Sequence, residues 1–166
     1  ALHYLQSSGV VHLDVKPSNI IMGAPPRLID LSIARTLQSA QRLNHVIGTD
    51  AYMPPEQADP GRVGAPGHAA DIWGLGASLF EAAASYRPFD DGNHDDDAPV
   101  ADRFPQLVNA PYELPPTVPV QVVKPIMASL EYDPGNRPTA AELAAHLEPL
   151  VDALPKPRLG GFKPKL

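Results

Sequence analysis

The sequence predicts a mainly α fold, helical over its C-terminal two-thirds, with short β-strands confined to the front. Apolar residues recur at helical spacing from Asp71 onward and again after Thr139. Near the start, the β-branched apolar couplets Val10-Val11 and Ile20-Ile21 enclose a polar stretch, as short strands around a loop would. The 21 prolines cluster near 25–26, 54–60, 99–125 and 149–164, so they break the chain into short elements joined by stiff loops.

In order, residues 1–8 read as the end of a helix already under way, with Gly9 as its stop. Val10-Val11, Ile20-Ile21-Met22 and, after the Ala-Pro-Pro turn, Leu28-Ile29 read as strands. Residues 30–68 show no sustained period and many turn formers, which predicts one long ordered loop. From Asp71, the residues Ile72, Leu75, Gly76, Leu79 and Phe80 share one helical face. Ala69, Ala70, Ala77 and Ala82 to Ala84 make that segment apolar almost all round, so a buried helix is expected, with Asp71 complementing its dipole. A second helix is expected over about 119–131. Thr139-Ala-Ala-Glu142 spells a capping box, and Leu143, Leu147, Val151 and Leu154 then mark one face of a third helix. One domain is expected over residues 1–154, with 155–166 a basic, Pro- and Gly-containing tail or linker.

Composition narrows the class. With 43% hydrophobic and 19% charged residues in 166, the chain suits one globular domain and not a disordered one. The absence of cysteine excludes a disulfide framework and thiolate metal sites, fits a reducing compartment and predicts a cytoplasmic location. No run approaches the roughly 18 apolar residues of a membrane helix, and no signal peptide stands at the start. Membrane attachment is therefore expected only through segments outside this chain. A net charge of −6 argues against nucleic-acid binding, which needs a basic face. The run DDGNHDDD at 90–97 reads as a solvated acidic loop. Because the chain opens in mid-helix on Ala1, a fragment of something longer is expected.

The stretch VVHLDVKPSNIIM (10–22) carries the chemistry. Phosphoryl transfer needs a carboxylate to orient the attacking hydroxyl, a cation on the migrating group and oxygen ligands for Mg²⁺. Asp14, Lys16 and Asn19 supply one of each on a single loop, and Asp30 adds a second carboxylate after the next strand. Mg²⁺ favours hard oxygen donors from one or two side chains plus substrate phosphates, a demand that Asn19 with Asp30 meets. Ordinary roles stand beside these: Asp14 and Asn19 as turn formers, Asp30 as a turn cap. His3, His45, His68, His94 and His146 show no metal-ligand spacing.

At these residues the sequence resembles the C-terminal lobe of a bacterial, eukaryotic-type Ser/Thr protein kinase. His12-Leu13-Asp14-Val15-Lys16-Pro17-Ser18-Asn19 is similar to its catalytic loop, and Ile29-Asp30-Leu31-Ser32 stands at its Asp-Phe-Gly metal motif. Gly48-Thr49-Asp50-Ala51-Tyr52-Met53-Pro54-Pro55-Glu56 resembles the end of an activation segment, with Pro54 where Ala is usual. Asp71-Ile72-Trp73-Gly74-Leu75-Gly76 resembles the start of the family's central helix, and Asp133-Pro134-Gly135-Asn136-Arg137-Pro138-Thr139 its last turn. The resemblance spans residues 1 to about 153 and implies a protein-kinase-like C-lobe, helical with short strands around the catalytic loop.

It also implies roles. Asp14 would accept or orient the proton of a protein Ser/Thr hydroxyl, Lys16 would neutralise the γ-phosphate of ATP, and Thr49 would hydrogen-bond toward both. Asn19 and Asp30 would hold Mg²⁺. Glu56 and Arg137 would form a buried ion pair, Asp71 would tie the catalytic loop to the central helix, and His12 would be a packing residue and not a base. Three positions depart from the pattern. Leu13 replaces an Arg that pairs with a phosphorylated activation loop, so such control is not expected. Ser32 replaces a Gly whose freedom helps place the aspartate, and Leu31 replaces Phe in similar space. No Gly-rich loop or strand lysine precedes the catalytic loop, so the N-terminal lobe is missing and the isolated chain is expected to be inactive. The alternative is a pseudokinase, or a truncated kinase-like scaffold that binds a protein partner without catalysis.

Overall fold

The computed structural model describes residues 1–95 and 97–154; the expected tail at 155–166 lies outside the described residues. Helix α1 (Leu2–Ser7) ends at Gly9, whose φ of 66° turns the chain into β1 (Val10–Val11). After residues 12–19 come β2 (Ile20–Ile21) and β3 (Arg27–Leu28), paired antiparallel with Ile20 opposite Leu28. The second strand therefore sits one residue earlier than expected. Hydrogen bonding continues past the strand end, where the Ile29 N–H donates to the Asn19 carbonyl at 2.9 Å.

Residues 30–68 are not one long loop. They contain β4 (Arg35–Thr36), α2 (Leu37–Ala40), a 3₁₀ turn at Asp50–Tyr52 and α3 (Pro55–Ala58). None exceeds four residues, too short for any period to show. What creates them is long-range: β4 pairs with β1, placing Thr36 opposite Val10, and the Thr36 hydroxyl then caps α2 by accepting the Ser39 N–H. Val11, Leu13 and Ala40 form a small buried cluster there.

The main core lies between α4 (His68–Ala84) and α6 (Val120–Ser129), where Trp73, Ala77, Phe80, Ile126 and Leu130 are buried together. The helices approach closely because Gly76 faces Ser129; a Cβ there would stand 2.5 Å from the Ser129 Cβ. Helix α4 starts three residues before Asp71 and is buried on most sides, although Leu75 and Leu79 are only half covered and Ala82 is exposed. Helix α5 (Val100–Arg103) brings Phe104 onto Met53 and Ala58 in a third cluster. The acidic run before α5 is exposed as expected at its described residues, but not free, since Asp91 pairs with Arg87 and Asp90 accepts the Tyr112 hydroxyl at 2.7 Å.

Helix α7 (Ala140–Asp152) opens on the expected capping box: the Thr139 hydroxyl accepts the Glu142 N–H, and the Glu142 carboxylate accepts the Thr139 N–H at 2.7 Å. Its apolar stripe is covered only at the start. Leu143 is buried, whereas Val151 and Leu154 are exposed; α1 and α6 both contact α7. The Thr139 N–H, with its hydroxyl, holds the Glu142 carboxyl below the usual glutamate range. A lowered folded-state pKa means the contribution is present above the ordinary glutamate value and is lost as pH falls through the folded one. Thr139→Ala should therefore lower the thermal midpoint by a few degrees at neutral pH, with a smaller loss in acid, as differential scanning calorimetry at both pH values would record. Among the described residues no helix is long and apolar enough to cross a membrane.

Candidate active site

The catalytic-loop stretch is bolted to the first turns of α4. Both carboxylate oxygens of Asp71 accept main-chain N–H groups, from His12 and from Leu13, each at 2.9 Å. Burial pushes the Asp71 carboxyl above the usual range despite these two donors, so desolvation outweighs them. One turn on, Gly74 lets the loop lie directly on the helix: a Cβ there would fall 2.5 Å from the Val15 carbonyl oxygen. Leu13 and Val15 bury their side chains beneath the loop, and Leu13 adopts a left-handed φ of 68°. Asp14, the residue between them, keeps partial exposure.

His12 is fully buried. Its Nε2 lies 3.0 Å from the Ile29 carbonyl and its Nδ1 accepts the Asp14 N–H at 3.3 Å, which assigns the proton to Nε2. The ring is thus a strut between the residue before Asp30 and Asp14. It has no nitrogen left for a substrate.

Four of the five expected site residues converge. Asp14 Oδ1 accepts the Thr49 hydroxyl at 2.7 Å, and Oδ2 lies 2.9 Å from Lys16 Nζ. Lys16 Nζ also donates to Thr49 Oγ1 at 2.6 Å, closing a triangle. Asn19 Nδ2 donates to the Asp14 main-chain oxygen at 2.9 Å and to its Oδ2 at 3.2 Å. With both amide hydrogens engaged, Asn19 Oδ1 is left as an acceptor. Pro17 pre-sets the 3₁₀ turn (Pro17–Asn19) that carries this amide back toward Asp14.

No hydrogen bond ties Asp30 to these four among the described residues, although the Lys16 charge is near enough to act on its carboxylate. Asp30 is exposed, sits at a φ of 67°, and its Oδ1 accepts the Ser32 N–H at 3.2 Å. The Ser32 hydrogen bonds hold its carboxyl below the usual range, with Lys16 and His12 adding weaker attraction. The left-handed conformation belongs to Asp30 and not to residue 32, so serine there carries no backbone strain. Among the described residues no three His, Cys, Asp or Glu side chains are grouped to hold a metal ion. The oxygens on offer are Asn19 Oδ1 and the Asp30 carboxylate, a hard donor pair that suits Mg²⁺ completed by phosphate oxygens and water.

The Thr49 segment is held from several sides. Gln106 Nε2 donates to the Asp50 and Met53 carbonyls at 3.0 and 2.9 Å, and Arg103 Nε meets Asp50 Oδ2 at 3.0 Å. The Tyr52 hydroxyl donates to Glu81 on α4 at 2.5 Å; burial, with Glu81 beside it, pushes that phenol up to about 12. Behind it, Glu56 and Arg137 form a buried bidentate pair at 2.7 and 2.8 Å. The sequence pattern does not single out Gln57, whose Nε2 reaches the carbonyls of both Leu13 and Ile47. A polar residue at the third position of the short helix α3, beside an expected buried glutamate, was the only available signal.

Known proteins resemble this chain over most of its length. Residues 1–147 match the model of the protein kinase domain. The chain is 39% identical over 150 residues to a probable serine/threonine-protein kinase, PkwA, of Thermomonospora curvata, covering 86% of this chain and 18% of that protein. It is 32% identical over 152 residues to the DNA damage-responsive serine/threonine-protein kinase RqkA of Deinococcus radiodurans, covering 89% and 22%. With the serine/threonine-protein kinase AfsK of Streptomyces coelicolor, identity is 34% over 158 residues, covering 90% and 18%. The chain thus spans less than a quarter of each of these relatives. A domain match that covers nearly the whole described chain, with relatives of one kind, places it in the protein kinase domain family, among the serine/threonine-protein kinases.

Proposed function

We propose that residues 1–154 are the C-terminal lobe of a Ser/Thr protein kinase of bacterial type, which in its full-length form moves the γ-phosphoryl group of ATP to protein Ser/Thr hydroxyls. The observation that carries this reading is the closed triangle of Asp14, Lys16 and Thr49. It presents a carboxylate oxygen and an ammonium group side by side at one spot, where a hydroxyl nucleophile and a phosphoryl group have to meet. Asp14 accepts the hydroxyl proton as the oxygen bonds to the γ-phosphorus and the bond to the β–γ bridging oxygen breaks, releasing ADP. Lys16 offsets the charge on the γ-phosphoryl oxygens. Thr49 fixes the Asp14 rotamer and the place of Lys16 between turnovers. Asn19 and Asp30 are the residues that would hold Mg²⁺, which when bound screens the phosphate charge.

Ile21, Met22, Ile29 and Leu31, close to this loop in sequence, are exposed apolar side chains of the kind a nucleotide base or a second lobe would cover. On this reading the glycine-rich loop and strand lysine belong to a lobe outside residues 1–166, and residues 1–166 alone should transfer no phosphoryl group. A cytoplasmic setting fits the lack of cysteine. A scaffold reading, in which a partner protein is bound without transfer, is favoured by one observation: Ser32 stands where the family pattern has Gly, and its N–H already engages an Asp30 oxygen. One assay separates the two. Full-length protein given γ-labelled ATP should label Ser or Thr in itself or in an added protein, and EDTA should stop the labelling. No label at any Mg²⁺ concentration would reject transfer in favour of the scaffold.

A further inference from the structure

Gln57 is 2% exposed, and one amide nitrogen of it serves two separate pieces of chain. Nε2 donates to the Leu13 carbonyl at 2.7 Å and to the Ile47 carbonyl at 2.5 Å. Leu13 immediately precedes Asp14, and Ile47 stands two residues before Thr49. The same amide therefore fastens both sides of the Asp14–Thr49 hydrogen bond. The space around it is shaped for that purpose. Gly48 has a φ of 118°, and a Cβ there would lie 2.7 Å from Gln57 Nε2 and 2.8 Å from the Leu13 oxygen, so no other residue type leaves room for the bridge. The base of the bridge is also fixed, because the neighbouring Glu56 is locked to Arg137. The tie is a neutral one, made by a carboxamide between two carbonyls.

We propose that Gln57 is a positioning residue: by bridging the carbonyls of Leu13 and Ile47 it keeps Thr49 seated on Asp14 and the 44–53 segment in its working place. The proposal rests on the kinase reading for its catalytic consequence, but the seating itself is a property of the chain whether or not it turns over ATP. A substitution with equal length and no donor isolates the bridge, and Gln57→Met provides it. In the full-length protein, hydrogen exchange of the 44–53 segment, reported by the Tyr52 and Met53 amides bonded to Thr49 and Asp50 carbonyls, should speed about tenfold, with α4 unchanged. In the same protein kcat should fall by about tenfold or more, with the KM for ATP unchanged. Gln57→Glu should exchange fast at alkaline pH, where a carboxylate opposes two carbonyl oxygens. It should slow toward wild type in mild acid, where a protonated carboxyl again donates to one of them.

The proposal is overturned if the 44–53 segment of Gln57→Met exchanges as in wild type, or if α4 accelerates by the same factor. A segment that loosens while kcat stays unchanged overturns it as well. If wild-type protein shows no transfer, the kinase reading fails, and the exchange comparison still decides the bridge.

Discussion

Asp14→Asn in the full-length protein should lower kcat for phosphoryl transfer by about 10²–10⁴-fold, the usual worth of a positioned proton acceptor. The amide has nearly the shape of the carboxylate but none of its basicity. It also meets the wrong partners, because Oδ2 of Asp14 receives Lys16 Nζ and Asn19 Nδ2, and an amide nitrogen in its place would face two donors. If the amide flips to relieve this, its nitrogen faces the Thr49 hydroxyl, which must turn to accept. The fold should not notice. The loop is bolted down by Asp71 through the N–H groups of His12 and Leu13, and its packing comes from Leu13 and Val15, none of which the change touches. Single-turnover kinetics beside a thermal melt check both halves, and an unchanged kcat would remove Asp14 from its role.

The second large effect is on stability. Arg137→Ala should cost about 3–5 kcal/mol, the range for breaking one side of a buried ion pair. Against a typical domain stability of about 5–15 kcal/mol, that leaves little margin. The reason lies in how fully the guanidinium is used. Besides Glu56, it donates through Nε to the Glu131 carbonyl at 2.7 Å, through Nη1 to Ala69 at 3.0 Å and through Nη2 to Tyr132 at 3.1 Å. All five N–H groups are engaged, and the guanidinium carbon stands 4.9 Å from the Trp73 ring centre. Arg137→Lys should recover only a small part of the loss, since one ammonium cannot reproduce a planar fork. Replacing Glu56 and Arg137 together by apolar residues should not be neutral either, because three carbonyls would lose their donor. Urea unfolding of the three variants tests the order; equal stability of Arg137→Lys and wild type would sink it.

The legible parts of this chain were those written locally. The apolar recurrence after Asp71, the Thr139 capping box and the Gly9 stop each occupy a few neighbouring residues, and each produced the expected element. The four convergent site residues were nameable because Asp14, Lys16 and Asn19 share one short loop, and Thr49 stands in a motif of its own. The reading failed where an element exists only through a distant partner. β4 is two residues long and is a strand only because β1 lies beside it, and the exposure of Val151 depends on packing that its own helical spacing does not record. Asp30 shows a contact the sequence did not specify, its Oδ1 accepting the Ser32 N–H in a local turn.

By itself the sequence determined which chemical groups are present and which helices form, because propensity, capping and spacing act over one or two turns. Only the tertiary structure decided how Thr49 reaches Asp14 across 35 residues of chain, and that a single glutamine amide ties the two strands of that contact together. Closing a loop of that size costs conformational entropy that no local pattern records. It is offset by buried ties at its far end, at Gln57, Glu56 and Arg137.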